Sequence, residues 1–106
     1  MRALEGVLKE ELGRLRQLKK SYLREIKKLS KGSIREKKIK EKKYPYLVFR
    51  EGRQVVYEYL GKLPDLKLRQ LGAEIEQRRK YVKLLREVSR NIMRLEKIVY
   101  GRKRTI

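Results

Sequence analysis

The chain has 106 residues and a formal net charge of +19, with 32 Lys and Arg against 13 Asp and Glu. It contains no cysteine and no histidine, which excludes disulfide bonds, thiol nucleophiles, the commonest zinc ligands and the commonest general base. The sequence also shows no glycine-rich phosphate loop. We therefore expect neither enzymatic activity nor a metal or cofactor, and the length predicts a single domain over residues 1–106.

The excess of positive charge is spread along the whole chain. A potential of this size attracts polyanions, and nucleic acid is the favoured partner over an acidic membrane surface or a merely well-solvated exterior. No apolar run has the length of a membrane span and the N-terminus lacks a signal-peptide core, so we expect a cytoplasmic, nucleoid-associated protein. Abundant Lys, Arg and Glu with few Asn and Gln also favour a heat-adapted, thermophilic source.

The first segment, residues 2–30, has the spacing of an amphipathic helix. Lys31-Gly32-Ser33 is expected to end this helix, with Gly32 in a left-handed conformation. Apolar side chains recur every seven residues along one stripe, at Leu8, Leu15, Tyr22 and Leu29.

The middle segment, residues 33–61, predicts three antiparallel strands over 34–39, 44–50 and 54–60. Residues 40–43 form the first turn, and Arg50-Glu51-Gly52-Arg53 forms the second. A two-residue turn at Glu51-Gly52 is the favoured register, because it produces two coherent faces. A three-residue loop with a glycine bulge would swap the faces of the third strand. The favoured register pairs Val48 with Val55, Tyr46 with Tyr57 and Tyr44 with Tyr59.

The last segment predicts a helix over residues 65–100, followed by a basic tail over 101–106. Apolar residues along it step by three, four or seven, and Asp65 is suited to its first turn. The predicted fold class is α+β, with two long antiparallel helices in a coiled-coil stalk flanking a small three-stranded antiparallel β-hairpin head. A homodimer is expected, because such a stalk leaves apolar rows uncovered at Tyr81, Leu84 and Ile98.

The candidate nucleic-acid-binding residues fall into three groups. Lys and Arg neutralise phosphates, whereas Tyr offers a hydroxyl to a phosphate or a ring to an unpaired base. Competing interpretations remain open: a lysine-protected sheet edge, tyrosines used for packing, and a solvated helix flank. The basic run comprises Arg35, Lys37, Lys38, Lys40, Lys42 and Lys43. The hairpin adds Tyr44, Tyr46, Arg50, Arg53 and Tyr57, and a ridge on the second helix adds Arg79, Lys83, Arg86 and Arg90.

Four short strings carry a resemblance to known proteins: Gly32-Ser33-Ile34, Tyr44-x-Tyr46-Leu47, Arg50-Glu51-Gly52 and Tyr59-Leu60-Gly61-Lys62. They resemble a hairpin module of small uncharacterised archaeal and bacterial helix–β-hairpin–helix proteins. A similar module lies near the N-termini of some transposases and, more loosely, in the arm-binding domains of tyrosine recombinases. The resemblance covers about thirty residues. Pro45 departs from the pattern, and no catalytic domain of either class follows. The resemblance implies binding to mobile-element or chromosomal DNA.

These observations predict a small basic DNA-binding protein that contacts mainly phosphates with low sequence specificity, in an architectural, mobile-element or chromatin accessory role. Two alternatives remain open. One is an RNA-binding or ribosome-associated factor. The other is a coiled-coil assembly protein that binds a protein partner.

Overall fold

A computed structural model describes residues 2–101 and confirms the α+β class, with two helices flanking a three-stranded antiparallel sheet along the chain. Of the predicted basic tail, residues 102–106 lie outside the described part. The elements in chain order are α1 (Arg2–Lys28), β1 (Ser33–Ile39), β2 (Lys42–Glu51), β3 (Gln54–Tyr59) and α2 (Asp65–Tyr100).

The chain divides into two compact units, and α2 belongs to the first of them up to Arg79 and to the second from Lys80 onward. Residues 29–79 form one unit, here called the head unit. Of the described residues, 2–28 and 80–101 form the other, here called the helical unit.

In the helical unit, α1 packs against the later part of α2. The two helices run antiparallel, because Arg16 lies 3.3 Å from Glu96 whereas the later Tyr22 packs at a tilt against the earlier Tyr81, with ring centroids 5.9 Å apart. Tyr81, which we had expected to be uncovered, is therefore half-buried. The buried core of this unit consists of Leu12, Leu15, Val88 and Ile92.

The exposed surface of α1 carries a local ion pair. Arg14 donates two hydrogen bonds to the carboxylate of Glu11, at 3.0 and 2.6 Å. These bonds lower the pKa of the Glu11 carboxyl and raise that of the Arg14 guanidinium. Because the pair is exposed, water screens it and it adds little to stability.

In the head unit, β2 is the central strand and pairs with both neighbours. One face of the sheet, here called the inner face, packs on the first part of α2, because alternate residues of β2 are apolar. Leu47 of β2 and Leu60, the residue directly after β3, are buried there against Ile75. Phe49, Leu68 and Leu71 pack around them.

The register of the second hairpin corrects our favoured pairing. Glu51 pairs with Gln54, so the two loop residues are Gly52 and Arg53, one position later than expected. Gly52 has φ +61° while Arg53 has no positive φ, the combination typical of a type II′ turn with glycine first. Each partner on β3 therefore moves by two residues. Because the shift is even, the predicted faces are kept.

Pro45 lies inside the central strand, where a missing amide normally breaks the ladder. Here the Pro45 carbonyl accepts a hydrogen bond from the Leu60 amide at 2.9 Å. The amide and carbonyl of one residue point to the same neighbouring strand, so the missing Pro45 donor also faces β3. The chain is leaving the sheet at that point, and the Leu60 carbonyl instead accepts from Leu63 N at 3.0 Å. The break therefore falls where β3 ends, and the carbonyls of Pro45 and Leu60 are both paired.

α1 ends at Lys28, two residues before the predicted end. Gly32 has the expected positive φ, at +110°, but it serves the sheet rather than the helix. A Cβ on Gly32 would lie 2.6 Å from the Val48 carbonyl oxygen. Only glycine fits at position 32, and it allows the next residue, Ser33, to pair with β2.

Candidate nucleic-acid interface

The second face of the sheet, here called the outer face, joins aromatic and basic side chains. Residues paired across antiparallel strands point to the same side. The observed register thus collects seven side chains that the sequence had marked as candidates. They are Arg35, Lys37, Lys42, Tyr44, Tyr46, Arg50 and Tyr57, joined by Val48, Val55 and Tyr59.

Two tyrosines of the outer face, Tyr44 and Tyr46, both pack on a third, Tyr59. The Tyr59 ring lies 5.4 Å from that of Tyr46 and 6.3 Å from that of Tyr44, between centroids, and both pairs are tilted. Tyr59 also covers Gly61, where any Cβ would overlap its ring. These geometries are favourable aromatic contacts, so this trio stabilises the sheet.

Tyr57 differs from that trio. It is 68% exposed and makes no ring contact with another aromatic residue of the described chain. Its cross-strand partner is Val48, which is too small to cover it. Tyr57 therefore presents a free aromatic face to solvent.

A cavity of about 500 Å³, here called the basic cavity, opens at the end of the sheet where β1 begins. Since β1 starts at Ser33 opposite Val48, the last residues of β2 have no partner on that side. The cavity occupies the vacant edge, and its described lining includes no acidic residue. The charged residues around it are Lys31, Arg35, Arg50, Arg78 and Arg79.

Two of these five cations are already bound to the protein. Lys31 donates to the Arg50 carbonyl at 3.0 Å and lies 5.7 Å from the centre of the Phe49 ring. Arg79 donates to the Gly32 carbonyl at 3.3 Å and to Ser33 Oγ at 2.9 Å, and it lies 3.7 Å from Glu76. The side chains of Lys31 and Arg79 thereby fix the segment that connects α1 to β1.

The other three cations are not engaged. Within the described chain, the side chains of Arg35, Arg50 and Arg78 have no hydrogen-bond or ion-pair partner. Guanidinium groups supply several donors in a fixed planar fork that matches phosphate oxygens. Three unpaired guanidinium groups around one cavity are therefore suited to an anionic phosphate.

A second cavity of about 400 Å³, here called the aromatic cavity, lies on the outer face beside the first. The small Val48 lies between the larger Tyr46 and Tyr57, which explains the depression. Arg35, Val48 and Tyr57 line both cavities. The remaining lining residues are Glu36 and Lys37, and Glu36 lies 3.8 Å from Lys43.

The other predicted residues lie elsewhere. Lys38 and Lys43 are paired across β1 and β2 on the same side as Leu47, and both are exposed. Lys40 lies in the first turn and Arg53 in the second, and both side chains are exposed. In the helical unit, the exposed Lys83, Arg86 and Arg90 lie on the side of α2 opposite its buried residues.

Two of the five charged residues that line the basic cavity, Lys31 and Arg78, were not among the candidates. A sequence signal for Arg78 existed, because it lies three positions after the apolar Ile75 and therefore on the same side of the helix. A charged residue in an apolar row points towards whatever the row packs against. Lys31 offers no such signal, since its position depends on the path of the chain between α1 and β1.

The described residues contain no cluster of acidic side chains that would hold a metal ion. No buried polar side-chain atom in this part of the chain lacks a hydrogen-bond partner. Neither described helix combines the length and the apolar character needed to cross a membrane.

Comparison with known proteins identifies the family of this chain. A family model described as a domain of unknown function (DUF6788) matches residues 3–70, so the chain belongs to that family. The matched range includes α1 and the whole sheet, and it ends within the first turns of α2. No curated protein and no solved structure matches the chain.

Proposed function

We propose that this protein binds nucleic acid through the outer face and the basic cavity of the head unit, contacting mainly phosphates. The observation that carries the proposal is the group of three unengaged guanidinium groups, Arg35, Arg50 and Arg78, around one cavity. Arginines kept free of acidic partners at one place bear an electrostatic cost from mutual repulsion, which a bound phosphate removes.

DNA is the favoured partner within this proposal. The support comes from the resemblance of the hairpin strings to modules near the N-termini of transposases. The net charge of +19 adds non-specific attraction to any polyanion. The proposed role is architectural or accessory, with low sequence specificity, in the nucleoid.

A titration against salt tests the proposal. Fluorescent duplex DNA, single-stranded DNA and duplex RNA are titrated with the full chain at several salt concentrations. We expect log Kd to depend linearly on log salt concentration, with a slope of about 0.9 per phosphate neutralised on duplex DNA. Undetectable binding at moderate salt for all three probes would refute the proposal.

A matched pair of variants locates the site. Replacing Arg35, Arg50 and Arg78 together by Gln is expected to weaken binding by tenfold or more and to reduce the salt slope by about 3, one per lost phosphate contact. The control replaces three exposed basic residues of the same unit that border neither cavity, namely Lys62, Lys67 and Arg69. Both variants lose three charges, so equal losses of affinity would show that only net charge matters.

We also propose a homodimer formed through the helical unit. Leu84 is 40% exposed and Ile98 is 67% exposed, and they are two heptads apart with Asn91 midway. A heptad row of two apolar residues around one Asn is suited to a second helix, with the Asn selecting the register. Dimerisation would present two head units to one nucleic acid and so raise avidity.

A further inference from the structure

The two cavities of the head unit have different chemistry and share three lining residues. The basic cavity offers Arg35, Arg50 and Arg78 to an anion, whereas the aromatic cavity offers the rings of Tyr46 and Tyr57 around Val48. Volumes of about 500 and 400 Å³ both fall in the range of about 300–1,000 Å³ usual for small-ligand sites. Adjacent cavities of these two kinds suit the two parts of a nucleotide.

We infer that the aromatic cavity holds one unpaired base, stacked on Tyr57, while the basic cavity holds a phosphate of the same strand. This inference rests on the proposed function and specifies its substrate class as single-stranded or locally unpaired nucleic acid. A base inside a duplex cannot enter, because its two faces are covered by neighbouring base pairs. DNA and RNA share the chemistry involved, since every base has a π-face.

Tyr57 is the ring that the sheet leaves available for this purpose. Tyr44 and Tyr46 each contact the Tyr59 ring, whereas Tyr57 is 68% exposed and has no aromatic partner among residues 2–101. An exposed aromatic side chain of this kind gains favourable area when a base covers it. Stacking also explains why the position carries a tyrosine on an otherwise solvated strand, next to Glu58 and the exposed Val55.

Arg35 links the two compartments. It lines both cavities, and its cross-strand partner on β2 is Tyr46. A guanidinium group can bind the phosphate and also lie against the edge or face of the stacked base. Arg35 is therefore expected to contribute to binding of both parts of the nucleotide.

The absence of tryptophan from the chain allows a direct experiment. In Tyr57→Trp the single indole reports stacking, since a stacked base quenches its fluorescence. The probes are a 15-nucleotide oligo(dT), oligo(U) of the same length, and an abasic DNA strand with the same number of phosphates. We expect strong quenching by both base-containing strands and little by the abasic strand, even when anisotropy shows that the abasic strand is bound.

Affinity measurements complete the test. Tyr57→Ala is expected to lose about tenfold in affinity for oligo(dT) and less than about twofold for duplex DNA, whereas Tyr57→Phe retains both affinities. Equal losses on single strands and duplexes, or equal quenching by the abasic strand, would overturn the inference while leaving the proposed function in place. Failure of every nucleic acid to bind the unmodified chain would instead refute the proposed function itself.

Discussion

Arg79 donates a hydrogen bond from Nη2 to Ser33 Oγ at 2.9 Å and joins α2 to the first residue of β1. Its neighbour Arg78 has no such partner within the described chain, although both line the basic cavity. Adjacent arginines on one helix thus differ in their contacts: Arg79 fixes the chain that borders the cavity, and Arg78 lines the cavity without a protein partner in the described chain.

Alanine substitution should distinguish these two arginines. Arg79→Ala is expected to lower the free energy of unfolding by about 0.5–1.5 kcal/mol, because hydrogen bonds to Ser33 and Gly32 are lost at a partly exposed site. Arg78→Ala should change stability by less than about 0.5 kcal/mol and weaken nucleic-acid binding. Urea denaturation and anisotropy titrations measure the two quantities. If Arg79→Ala left stability unchanged and reduced affinity as much as Arg78→Ala, both arginines would be ligand-binding residues.

Alanine substitutions at Gly32 and Gly13 should change the free energy of unfolding in opposite directions. Gly32→Ala places a Cβ 2.6 Å from the Val48 carbonyl oxygen at φ +110°, so we expect a loss of about 2 kcal/mol or more. Gly13 lies in α1 with no atom within 4 Å of its added Cβ. Gly13→Ala should therefore stabilise the protein by about 1 kcal/mol through helix propensity. Thermal and urea unfolding of both variants give the sign directly.

Lys40 has φ +59° in the turn between β1 and β2, a conformation that costs a non-glycine residue about 1 kcal/mol. Lys40→Gly is expected to raise the free energy of unfolding by about 0.5–1 kcal/mol. The neighbouring Glu41 has no positive φ, so Glu41→Gly should lower stability by a similar amount. Equal effects of the two substitutions would contradict the strain assigned to Lys40.

Charge reversal on the two faces of the sheet tests which face binds. Lys37 and Lys42 project from the outer face, whereas Lys38 and Lys43 project from the other side. The pair Lys37→Glu and Lys42→Glu should weaken DNA binding at least tenfold more than Lys38→Glu and Lys43→Glu, although each pair changes the net charge equally. Circular dichroism should show unchanged helicity in both. A stronger effect of the second pair would move the interface to the opposite face.

The homodimer proposal predicts a specific response to charged substitutions in the helical unit. Leu84→Glu together with Ile98→Glu should convert a dimer into a monomer in sedimentation velocity, because both disrupt the same exposed row. Met93 is 60% exposed on another side of α2, so Met93→Glu serves as the control and should remain dimeric. A monomeric unmodified chain at micromolar concentration would contradict the proposal.

The sequence by itself determined the elements, because each rests on local patterning. Apolar residues at helical spacing indicated α1 and α2, alternation in residues 44–50 indicated β2, and Gly52 indicated the second hairpin. The division of the sheet into an apolar face and an aromatic, basic face also followed from alternation. This division of the faces is the same in the observed register, because the observed register differs from the predicted one by an even number of residues.

The tertiary structure decided the register of the second hairpin and the formation of the basic cavity, which local patterning does not determine. A turn that begins at Gly52 rather than at Glu51 costs little locally, so the register depends on how Leu47 and Leu60 pack against Ile75. The distinction between Tyr57 and the packed tyrosines follows from that register. The basic cavity brings together residues 31, 35, 50 and 78 from three separate stretches of the sequence. Their convergence depends on where β1 begins beside β2 and on how α2 packs against the inner face of the sheet.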